Sequence, residues 1–177
     1  LLHKLTFASD FAVPLPVFRV GSGYDVHQLA LGEVLWLCGV KIEHSHGLSG
    51  HSDADVLLHA ICDALLGALS LGDIGVHFPD TEVTYKNIDS KILLEKTFVL
   101  VKNKGYRVIN VDSTLCLQAP KIKPYVAQMQ QAIATILNIA ASDVSVKATT
   151  TEKMGFVGRE EGLVAYATIL LCKESIV

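Results

Sequence analysis

No stretch of the chain's 177 residues offers the roughly 18 to 20 consecutive apolar positions that a membrane-spanning helix needs. The longest apolar run, Leu163 to Cys172, is interrupted by Tyr166 and Thr168 and reads as a buried strand, so a soluble protein is expected. Charge is also scarce. Only 19% of residues are charged, the net charge is −3, and no block of like charges occurs, which argues against nucleic acid or an anionic membrane as main partner and favours small molecules. The four cysteines, Cys38, Cys62, Cys116 and Cys172, are scattered through apolar stretches without a Cys-x-x-Cys pair. Buried reduced thiols are therefore expected rather than disulfides or a thiolate metal site, and a reducing, cytoplasmic compartment fits. There is no P-loop, no His-Glu-x-x-His and no Gly-x-Ser-x-Gly, and Gly21-Ser22-Gly23 lacks the third glycine of a dinucleotide fingerprint. Ordinary kinase, protease and dehydrogenase readings lose ground.

What is present is apolar: half of the residues are hydrophobic. The length fits one domain with a real core, and so little charge leaves apolar surface for which homo-oligomerisation is the natural outlet. Residues 1–17 precede the first motif without the charged start and small-residue cleavage site of a secretory signal. They read as an extension or linker: the end of an upstream fused domain, of a plastid-type transit peptide, or of an expression tag. Residues 18–177 are read as the single domain.

Along that domain, Val17–Gly23 is predicted as a strand leading into an Asp25-Val26-His27 turn, Val34–Val40 as a second strand, and Glu43–Gly50 as a loop. A helix capped by Ser52 or Asp53 runs to about Ser70, where Gly72 stops it; a second spans Ile88–Lys104, begun at Asp89 or Ser90 and ended by Gly105. Tyr106–Leu117 is a long strand, Pro124 opens a helix through Leu137, and Val144–Ala148 and Leu163–Cys172 are the last strands. This mix, without strict βαβ alternation, predicts an α+β fold: a mixed sheet with helices on one face.

Asp25 and His27, two apart in extended backbone, share a face, and His59 follows on a helix. One oxygen and two nitrogens leave a fourth tetrahedral position open, the stoichiometry of a catalytic rather than a structural zinc site. Asp63, one helical turn after His59, can orient the imidazole; a helix histidine paired with a carboxylate for stability alone is the plainer alternative. His44, His46 and His51 form a rival set on a loop that offers no fixed geometry. Gly72-Asp73-Ile74-Gly75 with Phe78-Pro79-Asp80-Thr81 suits a polyol or is a simple helix stop and turn. Gln118-Ala119-Pro120-Lys121-Ile122-Lys123-Pro124 can read a base edge or merely connect a strand to a helix. Lys147 to Lys153, with Thr149, Thr150, Thr151 and Glu152, can hold phosphate oxygens and a hard cation, or be an ordinary strand end.

Taken in order, Gly23-Tyr24-Asp25-Val26-His27, His51-Ser52-Asp53-Ala54-Asp55 through His59, Gly72 to Gly75 with Phe78-Pro79-Asp80, Gln118-Ala119-Pro120-Lys121, and Lys147 through Gly162 resemble the 2-C-methyl-D-erythritol 2,4-cyclodiphosphate synthases of the methylerythritol phosphate route to isoprenoids. The resemblance covers essentially everything from Phe18 onward. It implies a homotrimer with active sites between subunits and zinc on Asp25, His27 and His59. Magnesium or manganese would bridge the substrate diphosphate near Glu152. It further implies cyclisation of 4-diphosphocytidyl-2-C-methyl-D-erythritol 2-phosphate with release of CMP. His51 and Thr150 would stabilise the transition state; Asp25, Val26, His27, His51 and Ser52 would face substrate. Asp73, Ile74, Gly75, Phe78, Pro79, Asp80, Thr81 and Glu82 would surround the methylerythritol, and Leu117 to Lys123 the cytidine. Thr149, Thr150, Thr151 and Glu152 would meet the diphosphate, with Phe156 and Arg159 completing the pocket, and a fused cytidylyltransferase upstream fits the same resemblance. On the residues alone, a zinc phosphohydrolase and a non-catalytic metal or ligand-binding module, with Arg159 and Glu161 at an oligomer axis, stay open.

Overall fold

A computed structural model describes residues 15–79, 81–85 and 88–174. Of the segment 1–17 only its last three residues fall in that range, and Asp80 lies outside it. The first strand, β1, spans Phe18–Leu31. It does not stop before Asp25-Val26-His27, as the predicted turn required, but carries that triplet in its middle. The reason is continuous antiparallel pairing with β7 (Gly162–Lys173), from Phe18 opposite Cys172 to Gln28 opposite Gly162. The period-2 argument for Asp25 and His27 survives the correction and is strengthened by it.

The expected strand Val34–Val40 is a hairpin, β2 (Leu35–Leu37) and β3 (Val40–Ile42). Its two turn residues, Cys38 and Gly39, have φ of 56° and 69°, the left-handed pair that a tight two-residue hairpin turn demands. Part of the expected loop after it is β4 (His46–Ser49), paired antiparallel with the end of β1. The helix α1 spans Val56–Ala68 and is capped by Asp55, whose Oδ1 accepts the Leu58 N–H at 3.1 Å. Neither Ser52 nor Asp53 is the cap: Ala54 sits at φ 56°, so the chain reverses before helical geometry can begin. Asp55 Oδ2 also accepts the Gly39 N–H at 2.6 Å, which ties the hairpin turn to the helix start.

A short helix unseen in the sequence, α2 (Ile74–His77), follows, with Asp73 as its cap. At four residues it is too short to show a helical period. Then come α3 (Ser90–Asn103, capped by Asp89), β5 (Tyr106–Cys116), α4 (Val126–Leu137, entered through a 3₁₀ turn at Lys123–Tyr125), β6 (Val144–Thr149) and α5 (Gly155–Gly158). These α3, β5, α4 and β6 bounds agree with the sequence reading to within one or two residues, Pro124 lying inside the 3₁₀ turn rather than opening α4 itself. The five-stranded sheet has the order β4-β1-β7-β5-β6, antiparallel except for β5 and β6, which α4 joins by a crossover. This is the expected mixed α+β sheet.

Ten of the thirteen residues of α1 are buried, so it is a central helix rather than a surface one. It packs on β1 and β7. Two glycines of β1 allow it to lie directly on the strand. A Cβ on Gly21 would fall 1.8 Å from the Ala64 carbonyl oxygen, and one on Gly23 would fall 1.9 Å from that of Ala60. The Gly-Ser-Gly motif thus serves backbone contact between helix and sheet. The opposite sheet face keeps large apolar groups in solvent: Val20 is 67% exposed, Tyr24 51%, Val26 44% and Tyr166 49%. All four cysteines are free thiols; Cys116 is half-exposed, and burial pushes the Cys62 thiol up to about 12.

Gly23→Ala should lower the unfolding free energy by about 3 kcal/mol, at the upper end of ordinary overpacking because the clash is with helix backbone. Urea unfolding monitored by circular dichroism measures it, and a loss under about 1 kcal/mol would contradict the close contact.

Candidate metal centre

Asp25 and His27 project from β1 toward α1, where His59 sits in the first turn. His59 Nδ1 lies 3.0 Å from Asp25 Oδ2, and His27 Nδ1 lies 3.2 Å from the same oxygen. The two imidazole centroids are 5.2 Å apart. One donor atom from each of the three residues falls within 4.8 Å of the others, and among the described residues no other His, Cys, Asp and Glu group does this. His27 Nδ1 is buried and has no hydrogen-bond partner. An orphaned nitrogen beside a carboxylate oxygen and a second imidazole fits a divalent cation: the donors are hard enough for its charge and soft enough for a borderline metal.

The electrostatics agree. Burial alone would raise the Asp25 carboxyl, but the two imidazoles beside it, His27 and His59, outweigh burial and bring it down to about 2. Burial depresses His59, but its bond to Asp25 and the charges of Asp25, Asp55 and Asp53 carry it above its usual range. His59 Nε2 meets two hydroxyls, Ser90 Oγ at 3.0 Å and Ser52 Oγ at 3.2 Å. Asp63 does not orient the imidazole as expected. Its Oδ1 accepts the Ile74 N–H at 2.8 Å, fastening α2 to α1.

The centre opens into a cavity of about 230 Å³. His27, Gly50, His51, Ser52 and His59 form one wall, Ile74, Gly75 and Phe78 a second, and Tyr85, Ile88 and Leu93 the third. The polyol loop is thereby brought beside the metal donors. The third wall escaped the sequence reading because three apolar residues around a helix start look like ordinary core; the edge-on packing of Tyr85 against Phe78, centroids 5.5 Å apart, is visible only in the fold. Asp73 caps α2, with its Oδ1 accepting the Val76 N–H, and Thr81 and Glu82 are exposed beyond it. The Val26 side chain points to the other sheet face. His44 and His46 lie beside each other with their rings tilted by 44°, centroids 5.8 Å apart, and belong to no metal-competent group among the described residues.

A second cavity, about 210 Å³, is lined by Leu117, Gln118, Pro120 and Lys121 to Lys123 on one side and by Ala148, Thr149 and Thr150 on the other. The Gln118–Lys123 loop and the hydroxyl-rich strand end therefore line one cavity. Gln118 Oε1 accepts the Lys153 N–H at 3.3 Å, and Thr150 Oγ1 donates to Glu152 Oε1 at 2.7 Å. Glu152 belongs to no metal-competent group within the described chain. Phe156 on α5 is 40% exposed, and Arg159 just after it forms a two-pronged ion pair with Glu161 at 2.8 and 3.0 Å. The two cavities share no residue, yet both open at the same end of the sheet, where His27 pairs with Leu163 and Cys116 with Val164.

In chelator-treated protein the pair should leave a two-sided pH signature. Asp25, drawn down from 3.8, stabilises the fold above that value and loses this as pH falls through about 2. His59, raised from 6.5, stabilises below 6.5 and loses this as pH climbs through its folded value. Subtracting the Tm profile of His59→Asn from that of the wild type should give a difference that shrinks as pH rises above 6.5; a difference that grows there contradicts the assignment.

A model of the YgbB family matches residues 18–172. A 2-C-methyl-D-erythritol 2,4-cyclodiphosphate synthase from Bacteroides thetaiotaomicron is 62% identical over 156 residues, 88% of this chain and 98% of that protein. The synthase of Syntrophobacter fumaroxidans is 58% identical over 86% of this chain and 96% of its own length. Among solved structures, the bifunctional IspDF from Campylobacter jejuni superimposes with a TM-score of 0.87 at 42% identity; the match covers 90% of this chain and 43% of that one. The CDP complex of IspF from Plasmodium falciparum gives 0.79 at 37% identity, covering 89% of this chain and 97% of that one. With a family match from the first strand to the last and relatives this similar along nearly their whole length, the chain belongs to the YgbB family.

Proposed function

We propose that the protein converts 4-diphosphocytidyl-2-C-methyl-D-erythritol 2-phosphate into 2-C-methyl-D-erythritol 2,4-cyclodiphosphate and CMP, as a metal-dependent phosphorus-oxygen lyase of non-mevalonate isoprenoid biosynthesis. The observation that carries this reading is the three-donor centre at the mouth of a partly apolar cavity, in a chain whose relatives are named for that product. An oxygen of the 2-phosphate attacks the β-phosphorus of the same molecule, the bond from that phosphorus to CMP breaks, and CMP leaves with the electron pair.

The nucleophile is already anionic at neutral pH, so the site needs positioning and charge neutralisation rather than a strong base. Asp25, His27 and His59 would hold zinc, and Glu152 a magnesium or manganese ion. Such cations, when bound, neutralise and polarise the crowded diphosphate oxygens. Phe78, Tyr85, Ile88 and Leu93 pack the carbon skeleton and exclude water; Ile74 and Gly75 present backbone to the hydroxyls, with Asp73, Pro79 and the 80–82 stretch beyond. The loop from Leu117 to Lys123 takes the cytosine, and Thr149, Thr150 and Thr151 would turn their hydroxyls from the Thr150 carbonyl, Glu152 and the Met154 carbonyl to phosphate oxygens, Phe156 and Arg159 closing that side.

His51 and Thr150 are assigned to the same transition state, yet within one chain they line different cavities. We therefore place the complete site between subunits of a homotrimer, the metal cavity of one facing the cytidine cavity of the next. The exposed face carrying Val20, Tyr24 and Tyr166 is the apolar surface such an assembly would cover. No helix among the described residues is long and apolar enough to cross a membrane; we place the enzyme in the cytoplasm.

Phosphorus NMR of the cytidyl substrate incubated with protein, zinc and magnesium should show a cyclic diphosphate appearing with CMP. Linear phosphate products carrying solvent ¹⁸O would instead identify a phosphohydrolase. His59→Ala should lose stoichiometric zinc and at least about 100-fold in kcat, with the oligomer unchanged in size-exclusion chromatography; full activity in that variant would refute the metal assignment.

A further inference from the structure

Ligation by an imidazole requires a lone pair on one nitrogen and leaves the proton on the other. In His59, Nδ1 faces Asp25 and Nε2 faces the serines. Ser90, the first residue of α3, is fully buried, and its hydroxyl has a single proton to give. That proton goes to Asp53 Oδ1 in a very short hydrogen bond, while Asp53 Oδ2 accepts the Ser90 N–H at 3.1 Å. A carboxylate has no proton to return. Ser90 Oγ can therefore meet His59 only as an acceptor, which makes Nε2–H the donor. Ser52 Oγ, which already accepts the Ala54 N–H at 3.0 Å, offers a second acceptor to the same nitrogen.

We propose that Asp53 and Ser90 are positioning residues that lock the tautomer of His59: a one-way chain of hydrogen bonds, His59 to Ser90 to Asp53, keeps the proton on Nε2 and aims the Nδ1 lone pair at the centre shared with Asp25 and His27. The same residues join the lock to the cavity wall, since the Asp53 N–H donates to the Ile88 carbonyl at 3.1 Å. Neither residue touches the metal donors of β1; both act through His59. The inference rests on the metal reading above.

Asp53→Asn is nearly isosteric but reverses the chain. With its amide oxygen on the Ser90 N–H, the shorter of the two backbone contacts at 3.1 Å against 3.3 Å from the Asp55 N–H, the amide nitrogen faces Ser90 Oγ and donates to it. The serine proton is then free to turn toward Nε2, which favours the wrong tautomer. Zinc affinity, measured by competition with a chromophoric chelator, should weaken by about 10 to 100-fold in Asp53→Asn. Ser90→Ala should fall toward the lower end, because Ser52 remains as acceptor, and Ser90→Thr, which keeps the hydroxyl, should recover most of the loss. Long-range ¹H–¹⁵N spectra of the zinc-loaded wild type should place the His59 proton on Nε2, and this needs no variant to fold. A proton on Nδ1, or unchanged zinc affinity in both Asp53→Asn and Ser90→Ala, overturns the lock while leaving the metal reading intact. A wild type that binds no zinc overturns both.

Discussion

Backbone contact between α1 and β1 is the constraint on which the rest of the molecule depends. Gly21 and Gly23 let the carbonyls of Ala64 and Ala60 lie where side chains would otherwise stand. At that separation, residues two positions further along the strand are brought against the first turn of the helix. Asp25 Oδ2 and His59 Nδ1 are then 3.0 Å apart although 34 residues separate them in sequence. A helix held further from the strand by interposed side chains would leave these donors too far apart to share one cation. Stability and metal geometry are thus set by the same absent side chains.

Such an approach concentrates charge, and the neighbouring segments are arranged to tolerate it. Asp55, fully buried, spends its carboxylate on the N–H groups of Gly39 and Leu58, holding the hairpin turn and the helix start together. Asp53 is occupied by Ser90 and by the Asp55 N–H. Three carboxylates therefore lie close to His59, but only Asp25 is directed at it. Their combined field favours positive charge at this spot, whether proton or metal.

The metal donors were legible in the sequence because two simple periods met there: alternation placed Asp25 and His27 together, and an apolar run around His59 announced a helix. The long strands β5 and β7 and the helix α3 were equally legible, with Asp89 and Gly105 marking both ends of that helix, whereas β1 was read only as far as Gly23. What escaped was structure fixed by backbone geometry without its usual residues. Cys38-Gly39 makes a hairpin turn that Asn-Gly or Asp-Gly would have advertised, and Ala54 takes a left-handed conformation that moves the helix cap from Ser52 or Asp53 to Asp55. Asp63 had the right spacing to orient His59 but found a nearer partner in the Ile74 N–H, because α2, too short to show a period, folds back onto α1. Ser90 gave no signal at all: a serine at a helix start is ordinary until the fold brings Asp53 and His59 to either side of it.

The division of the proposed binding residues over two cavities follows from the same topology. Three inter-strand steps separate β1 from β6, roughly 14 Å at normal strand spacing. A single folded substrate with a metal-bound diphosphate needs its stabilising groups within a few ångströms of one phosphorus. His51 follows β4, one strand further still, and Thr150 follows β6, so the whole sheet lies between the strands that carry them. In the proposed assembly, a second copy docked through the apolar face that the helices leave uncovered would meet this requirement without disturbing the sheet. Assembly in this reading is the step that makes catalysis geometrically possible, and the uncovered tyrosines and valines are the surface that would drive it.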